Sequence, residues 1–227
     1  AFNRTGTGVY NHSGTGTFTA LSTTNNAGTF NQSATSLAYF QGAVTNSGTV
    51  NLTGSGALTN ANTTSNTGLY NSNGTGLLTF SSTATNSGSG SITQNSTGTI
   101  LFSAVFNNSS AGSTFTQTSN GTTTFASDVN NSGTITHGPG AISVAGTYTN
   151  NVGGKLILGS GDFTFTGDYT NNGTFTAGTG NALFSSASTQ RLKDGSANGT
   201  VFNKVTFSGD ANKNVQSGHF YVSPSGI

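Results

Sequence analysis

A period of 20 residues constrains this chain more than any other feature. Gly8, Gly28, Gly48, Gly68 and Gly88 fall on one column, and Asn26, Asn46, Asn66 and Asn86 fall two residues ahead of glycines on it. Asn11, Asn31, Asn51 and Asn71 form a third column. A fixed repeat of this size marks a solenoid, in which each unit covers the next because none can bury its apolar side alone.

The repeat unit is strand and corner, not helix. Gly and Asn interrupt nearly every stretch, which removes the 3.6-residue apolar stripe a helix needs. Alternating segments such as Thr17-Phe18-Thr19-Ala20, Asp162-Phe163-Thr164-Phe165-Thr166 and Lys204-Val205-Thr206-Phe207 use residues that favour strands. Between them lie Asn-x-Gly and Gly-x-Gly groups suited to corners with positive φ. The expected fold is all-β: a parallel β-solenoid of about 20 residues per coil and roughly 11 coils, forming a rod about 50 Å long at the spacing of paired strands.

Column composition predicts which side chains point inward. Tyr10, Phe30, Val50 and Tyr70 share one column, and Phe18, Ala38, Leu58 and Leu78 a second. Ala20, Phe40, Asn60 and Phe80 share a third. Large Phe18 is followed by small Ala38, and small Ala20 by large Phe40, an exchange of volume expected of neighbouring sites in one packed core. Thr19, Tyr39, Thr59 and Thr79 then face solvent. Aligned Asn columns are expected to bond amide to amide along the axis.

The register slips after Asn86. The next members of that column are read as Asn108, Asn131, Asn151 and Asn172, with the extra residues taken up as corner bulges. Regular repeats are assigned to residues 1–187, and residues 188–227 to a variant continuation carrying Arg191, Lys193, Asp194, Lys204, Asp210 and Lys213. No capping helix or charged edge is apparent at Ala1-Phe2-Asn3, and Pro224 is the one residue near the other end suited to closing a strand edge. The start at Ala1, without a leader, reads as a processed product or an excerpt of something longer.

Charged residues make up 5% of the chain, against about 25% in an ordinary domain. A net charge of +1 gives no reason to expect nucleic acid or an anionic membrane as partner. No apolar run approaches the roughly 20 residues of a membrane span. There is no Cys, so neither disulfides nor thiolate metal sites are available. Phe (16) and Tyr (6) recur in register, which opposes a disordered linker.

Tyr148-Thr149-Asn150-Asn151, Tyr169-Thr170-Asn171-Asn172-Gly173-Thr174-Phe175 and Phe202-Asn203-Lys204-Val205-Thr206-Phe207-Ser208-Gly209 resemble the Gly/Asn/Thr-rich β-helical repeats of Bacteroidota-type cell-surface proteins. In style they are also similar to the repeats of filamentous haemagglutinin and autotransporter passengers. The resemblance implies an extracellular, secreted protein with a role in adhesion, matrix or filament structure, and brings no catalytic motif with it.

The residues supply no catalytic, cofactor or metal set. A polysaccharide-cleaving β-helix needs clustered carboxylates, whereas Asp162 and Asp168 have only Lys155 near them and Asp128 is alone. Gly161-Asp162, Gly167-Asp168 and Gly209-Asp210 lack the nine-residue recurrence of a calcium-binding repeat. His12, His137 and His219 show no metal spacing and are read as exposed loop residues. Gly14-Thr15-Gly16 and Gly74-Thr75-Gly76 are corners, because no helix follows to make a phosphate cradle. Sequons such as Asn11-His12-Ser13, Asn51-Leu52-Thr53 and Asn172-Gly173-Thr174 follow from composition. A Thr file through Thr19, Thr59 and Thr79 would suit ice binding, but Tyr39 breaks it. The reading is therefore not an enzyme but a structural protein of a surface fibre, filament or stalk, with self-association end to end or side by side. An adhesin or glycan-binding module that holds sugars or a host surface through exposed Tyr, Asn and Thr is the alternative.

Overall fold

The computed structural model describes residues 2–209 and 211–223, so Ala1, Asp210 and the Pro224 end lie outside the described residues. Its elements are strands of three to five residues, joined by corners into an all-parallel β-solenoid of about 11 coils. Each coil up to Phe184 contributes one strand to each of three faces. The first face runs through eleven strands from Phe2–Arg4 to Lys213–Ser217. The second runs through nine, from Val9–His12 to Thr174–Thr176, and the third through ten, from Phe18–Ala20 to Lys204–Phe207. A separate parallel pair, Thr200–Phe202 with Phe220–Val222, lies beyond the second face.

Register follows the 20-residue period through the opening coils. Thr24, Val44, Thr64 and Ala84 pair in turn, as do Phe30, Val50 and Tyr70. Later insertions enter mostly at the corner between the first and second faces. Two residues (27–28) make that corner early on, whereas 87–90, 109–113 and 151–154 make it later. The first-face strands stay aligned because the extra residues leave the ladder altogether. One consequence corrects the counted spacing: Asn131 pairs with Asn150, and Asn150 with Asn171, so Asn151 and Asn172 stand one place off the file.

The glycine column has a different cause from the positive φ expected of it. Gly28, Gly48 and Gly68 are not in the left-handed region. A Cβ on any of them would overlap the carbonyl oxygen of the glycine one coil earlier (Gly8, Gly28 and Gly48 in turn), so tight stacking of corners demands the missing side chain. Gly88 differs. It opens the first lengthened corner and takes φ +60°.

The core is a column of rings and aliphatic groups three strands wide. Phe30, Phe40, Val50, Leu58, Tyr70, Leu78 and Phe80 are all buried. Tyr10 and Phe18 are only partly buried, because their coil is covered on one side only among the described residues. Phe80, Phe102 and Phe125 stack face to face with centroids 4.7 and 4.8 Å apart, and Phe106 and Phe115 close around them. Phe18 reaches over Ala38 to within 5.7 Å of Phe40, which is the volume exchange at work.

Replacing Phe102 with Ala removes the middle ring of this stack, and a loss of about 3–5 kcal/mol in unfolding free energy is expected. Thr79→Ala, on the outside of the neighbouring rung, is expected to change it by less than about 0.5 kcal/mol. Urea denaturation of both variants checks the contrast.

Candidate functional surfaces and internal ladders

The most ordered chemistry in the molecule is a file of carboxamides inside the first corner. Asn26, Asn46, Asn66, Asn86, Asn108, Asn131, Asn150 and Asn171 are all buried. Each of the first seven donates from Nδ2 to the Oδ1 of the next, at 2.7–3.0 Å. The same Nδ2 groups reach main-chain carbonyls of the neighbouring second-face strands, as Asn26 does to Thr49 and Asn150 to Thr174. The backbone carbonyls thereby fix which way every amide points.

This file is polar end to end. Its acceptor end is Asn26 Oδ1, which has no hydrogen-bond partner, and Arg4 occupies the preceding rung. Its donor end is Asn171, whose Nδ2 meets Asp194 Oδ1 at 3.4 Å. Arg4 is thus on the strand next to the negative end of the amide chain, without bonding it, and a carboxylate meets the positive end, the order of charges an aligned row of dipoles favours.

A second internal file was not foreseen. His12, Gln32, Gln94 and Gln117 are buried at the ends of second-face strands and His137 just beyond one, with Leu52 and Ser72 taking the two places between Gln32 and Gln94. Each of these His and Gln side chains closes the following corner by bonding a carbonyl three or four residues on: Gly16, Ser36, Gly98, Gly121 and Gly140, at 2.6–2.7 Å. His12 and His137 are thus corner-closing groups, not the exposed loop residues expected, and only His219 is exposed. The signal was there in the shared column of His12 and Gln32, two side chains able to place a donor at the same height. His137 Nε2–H donates to Gly140 while Nδ1 accepts from Gly159 N–H at 3.4 Å, which requires the neutral ring. Burial holds its pKa below the ordinary 6.5, against smaller upward effects of the Gly140 carbonyl and Asp162. Burial likewise raises the phenol of Tyr70 far above its usual range.

The outer Asn column behaves differently. Asn31, Asn51 and Asn71 each donate back to the residue one coil earlier at 2.7–2.9 Å, starting from Asn11, but on the surface. The file ends where Thr93 pairs with Asn71. On the third face the outward file runs Thr19, Tyr39, Thr59, Thr79, Leu101, Thr124, Ser143 and Thr164, so the hydroxyl array is broken at Leu101 as well as Tyr39.

Among the described residues the charged groups do not converge. Asp162 and Asp168 stand on different corners, at opposite ends of Phe163–Phe165. Asp168 pairs with exposed Arg191 at 3.4 Å, Asp128 accepts the Thr147 N–H, and Lys155 lies on the second face. Among the described residues no group of three His, Cys, Asp or Glu is placed to hold a metal ion.

Set against protein-family models, curated proteins and solved structures, the chain matches none. What stands of the resemblance is its coarser content, an all-parallel β-solenoid braced by buried Asn and Thr hydrogen bonds.

Two outcomes follow. Asn108→Ala strips the donor from Asn131 Oδ1 and two main-chain carbonyls, so a loss of about 3 kcal/mol is expected, whereas Asn51→Ala on the outer file is expected to cost about 0.5 kcal/mol or less. For His137, the unfolded chain takes up a proton below pH 6.5 that the folded ring refuses. Stability is therefore expected to fall as pH drops through 6.5 toward the lower folded value, and His137→Gln, which can keep the corner bond as Gln117 does, is expected to flatten that slope. Denaturation midpoints from pH 7.5 to 5 test both signs.

Proposed function

We propose that this chain is a structural segment of an extracellular fibre or stalk on a bacterial surface, and not an enzyme. The observation that carries this reading is the first face, an unbroken parallel sheet of eleven strands backed by the buried Asn file. Hydrogen bonding along one axis makes the long direction stiff, which is what a spacer or fibre needs. The outward files are mostly Thr, Ser and Asn, interrupted at Tyr39 and Leu101, with scarcely a charge before Lys155, so little repulsion opposes side-by-side packing of copies. The same axial ladder can be continued by more coils or by another copy. The dispersal of Asp128, Asp162 and Asp168 over separate corners supports a role without chemistry.

Antibody labelling of intact cells of the source organism, with electron microscopy of the labelled material, is the direct test. Surface label on thin fibres is expected. Label that appears only after lysis, or on globular particles, would overturn the assignment.

A further inference from the structure

The second face is continuous through Thr174–Thr176 and then breaks. The next strand on that side, Thr200–Phe202, pairs only with Phe220–Val222. The cause lies in the corner before it: residues 195–199 replace the two-residue corner 172–173 of the preceding coil, and Gly199 takes φ +74°. Asn171 consequently donates to Thr200 Oγ1 at 2.9 Å, where Asn150 has the Thr174 carbonyl. Thr200 has turned inward, and the two strands stand apart.

The gap is a groove of two lobes that share Phe175. One holds about 250 Å³ between Asn172, Ser196 and Asn198. The other holds about 550 Å³ beside Thr176, Val201 and Asn203, within the roughly 300–1,000 Å³ of small-molecule sites. Phe115, Ile135 and Leu156 of the same column are wholly buried, but Phe175 is half-open to the groove. Its ring forms the floor and packs edge-on against the buried Phe202, 4.9 Å away.

The lining is neutral. Among the described residues no charged side chain borders either lobe, and nearby Asp194 is buried with its carboxylate bonded to Ser196 N–H and Oγ. The carboxamides of Asn172, Asn198 and Asn203 have no hydrogen-bond partner among the described residues, unlike those of the ladders. Thr174 N–H and Thr176 C=O bond to the coil before, so the alternation of a parallel ladder turns the Phe175 main chain toward the groove. Free amides offer donors and acceptors together, beside a partly exposed aromatic ring. A pyranose ring presents the complement, hydroxyls at its edge and C–H groups on its face. We infer that this groove binds a neutral oligosaccharide, with a sugar ring over Phe175 and hydroxyls on Asn172, Asn198 and Asn203. An acidic sugar finds no counter-ion on the lining.

The test titrates the full chain with neutral gluco-, manno- and galacto-oligosaccharides and with oligogalacturonate. Binding of at least one neutral probe is expected, with amide shifts in NMR centred on residues 172–179 and 196–203. Asn172→Ala with Asn198→Ala is expected to weaken it about tenfold at unchanged Tm. Phe175→Leu keeps an apolar floor and is expected to lose affinity through loss of the ring. No neutral binding, preference for oligogalacturonate, shifts centred elsewhere, or full affinity in the double variant would each overturn the assignment. None of these outcomes bears on whether the protein forms fibres.

Discussion

Most polar side chains that point into this molecule find their partner either in the adjacent coil or at the next corner of their own. The interior is only three short strands across, so there is no room for a separate polar layer. Buried donors and acceptors left unpaired cost about 1–3 kcal/mol each, and the axial files are what prevents that cost. The Asn file closes the first corner and the His/Gln file the second, while the rings of Phe80, Phe102 and Phe125 fill the space between. Backbone pairing sets the coil spacing, and both files depend on it. An amide can bridge to the next amide only because the strands beneath them hold one common distance.

That dependence explains what could be read from the residues and what could not. The period, the strand character and the inward columns were legible, because identical requirements recur at identical heights: Phe30, Val50 and Tyr70 answer one apolar position. Counting failed at Asn150 and Asn151, where two adjacent residues of the same type offer the same side chain to opposite faces, and pairing alone decides between them. The role of His12 and His137 has no signature in the sequence, because a ring and a carboxamide look unrelated as letters. At the corner they are equivalent, since each sets a donor against the same carbonyl. The glycine column answers a constraint that comes from the coil next door and not from the residue's own dihedral angle.

The groove at Phe175 shows what a single long corner does to such a system. Residues 195–199 leave the first face paired, with Asn171 still bonded forward, yet they part the second. One face carries the rod while another is opened locally, so a neutral recognition site and a stiff spacer are compatible in one chain. Nothing in the groove had a signature in the residues, because Asn172, Asn198 and Asn203 are ordinary in a chain this rich in Asn. They become distinct only through standing without ladder partners around the same opening.

The head-to-tail orientation of the buried carboxamides bears on how the molecule tolerates change in length. Duplicating one whole turn would add a donor and an acceptor together, and every existing bond would find the same neighbour as before. Gaining half a turn would strand both. Length is therefore adjustable in integral steps at little thermodynamic cost, whereas reversing a single unit would set like poles against each other.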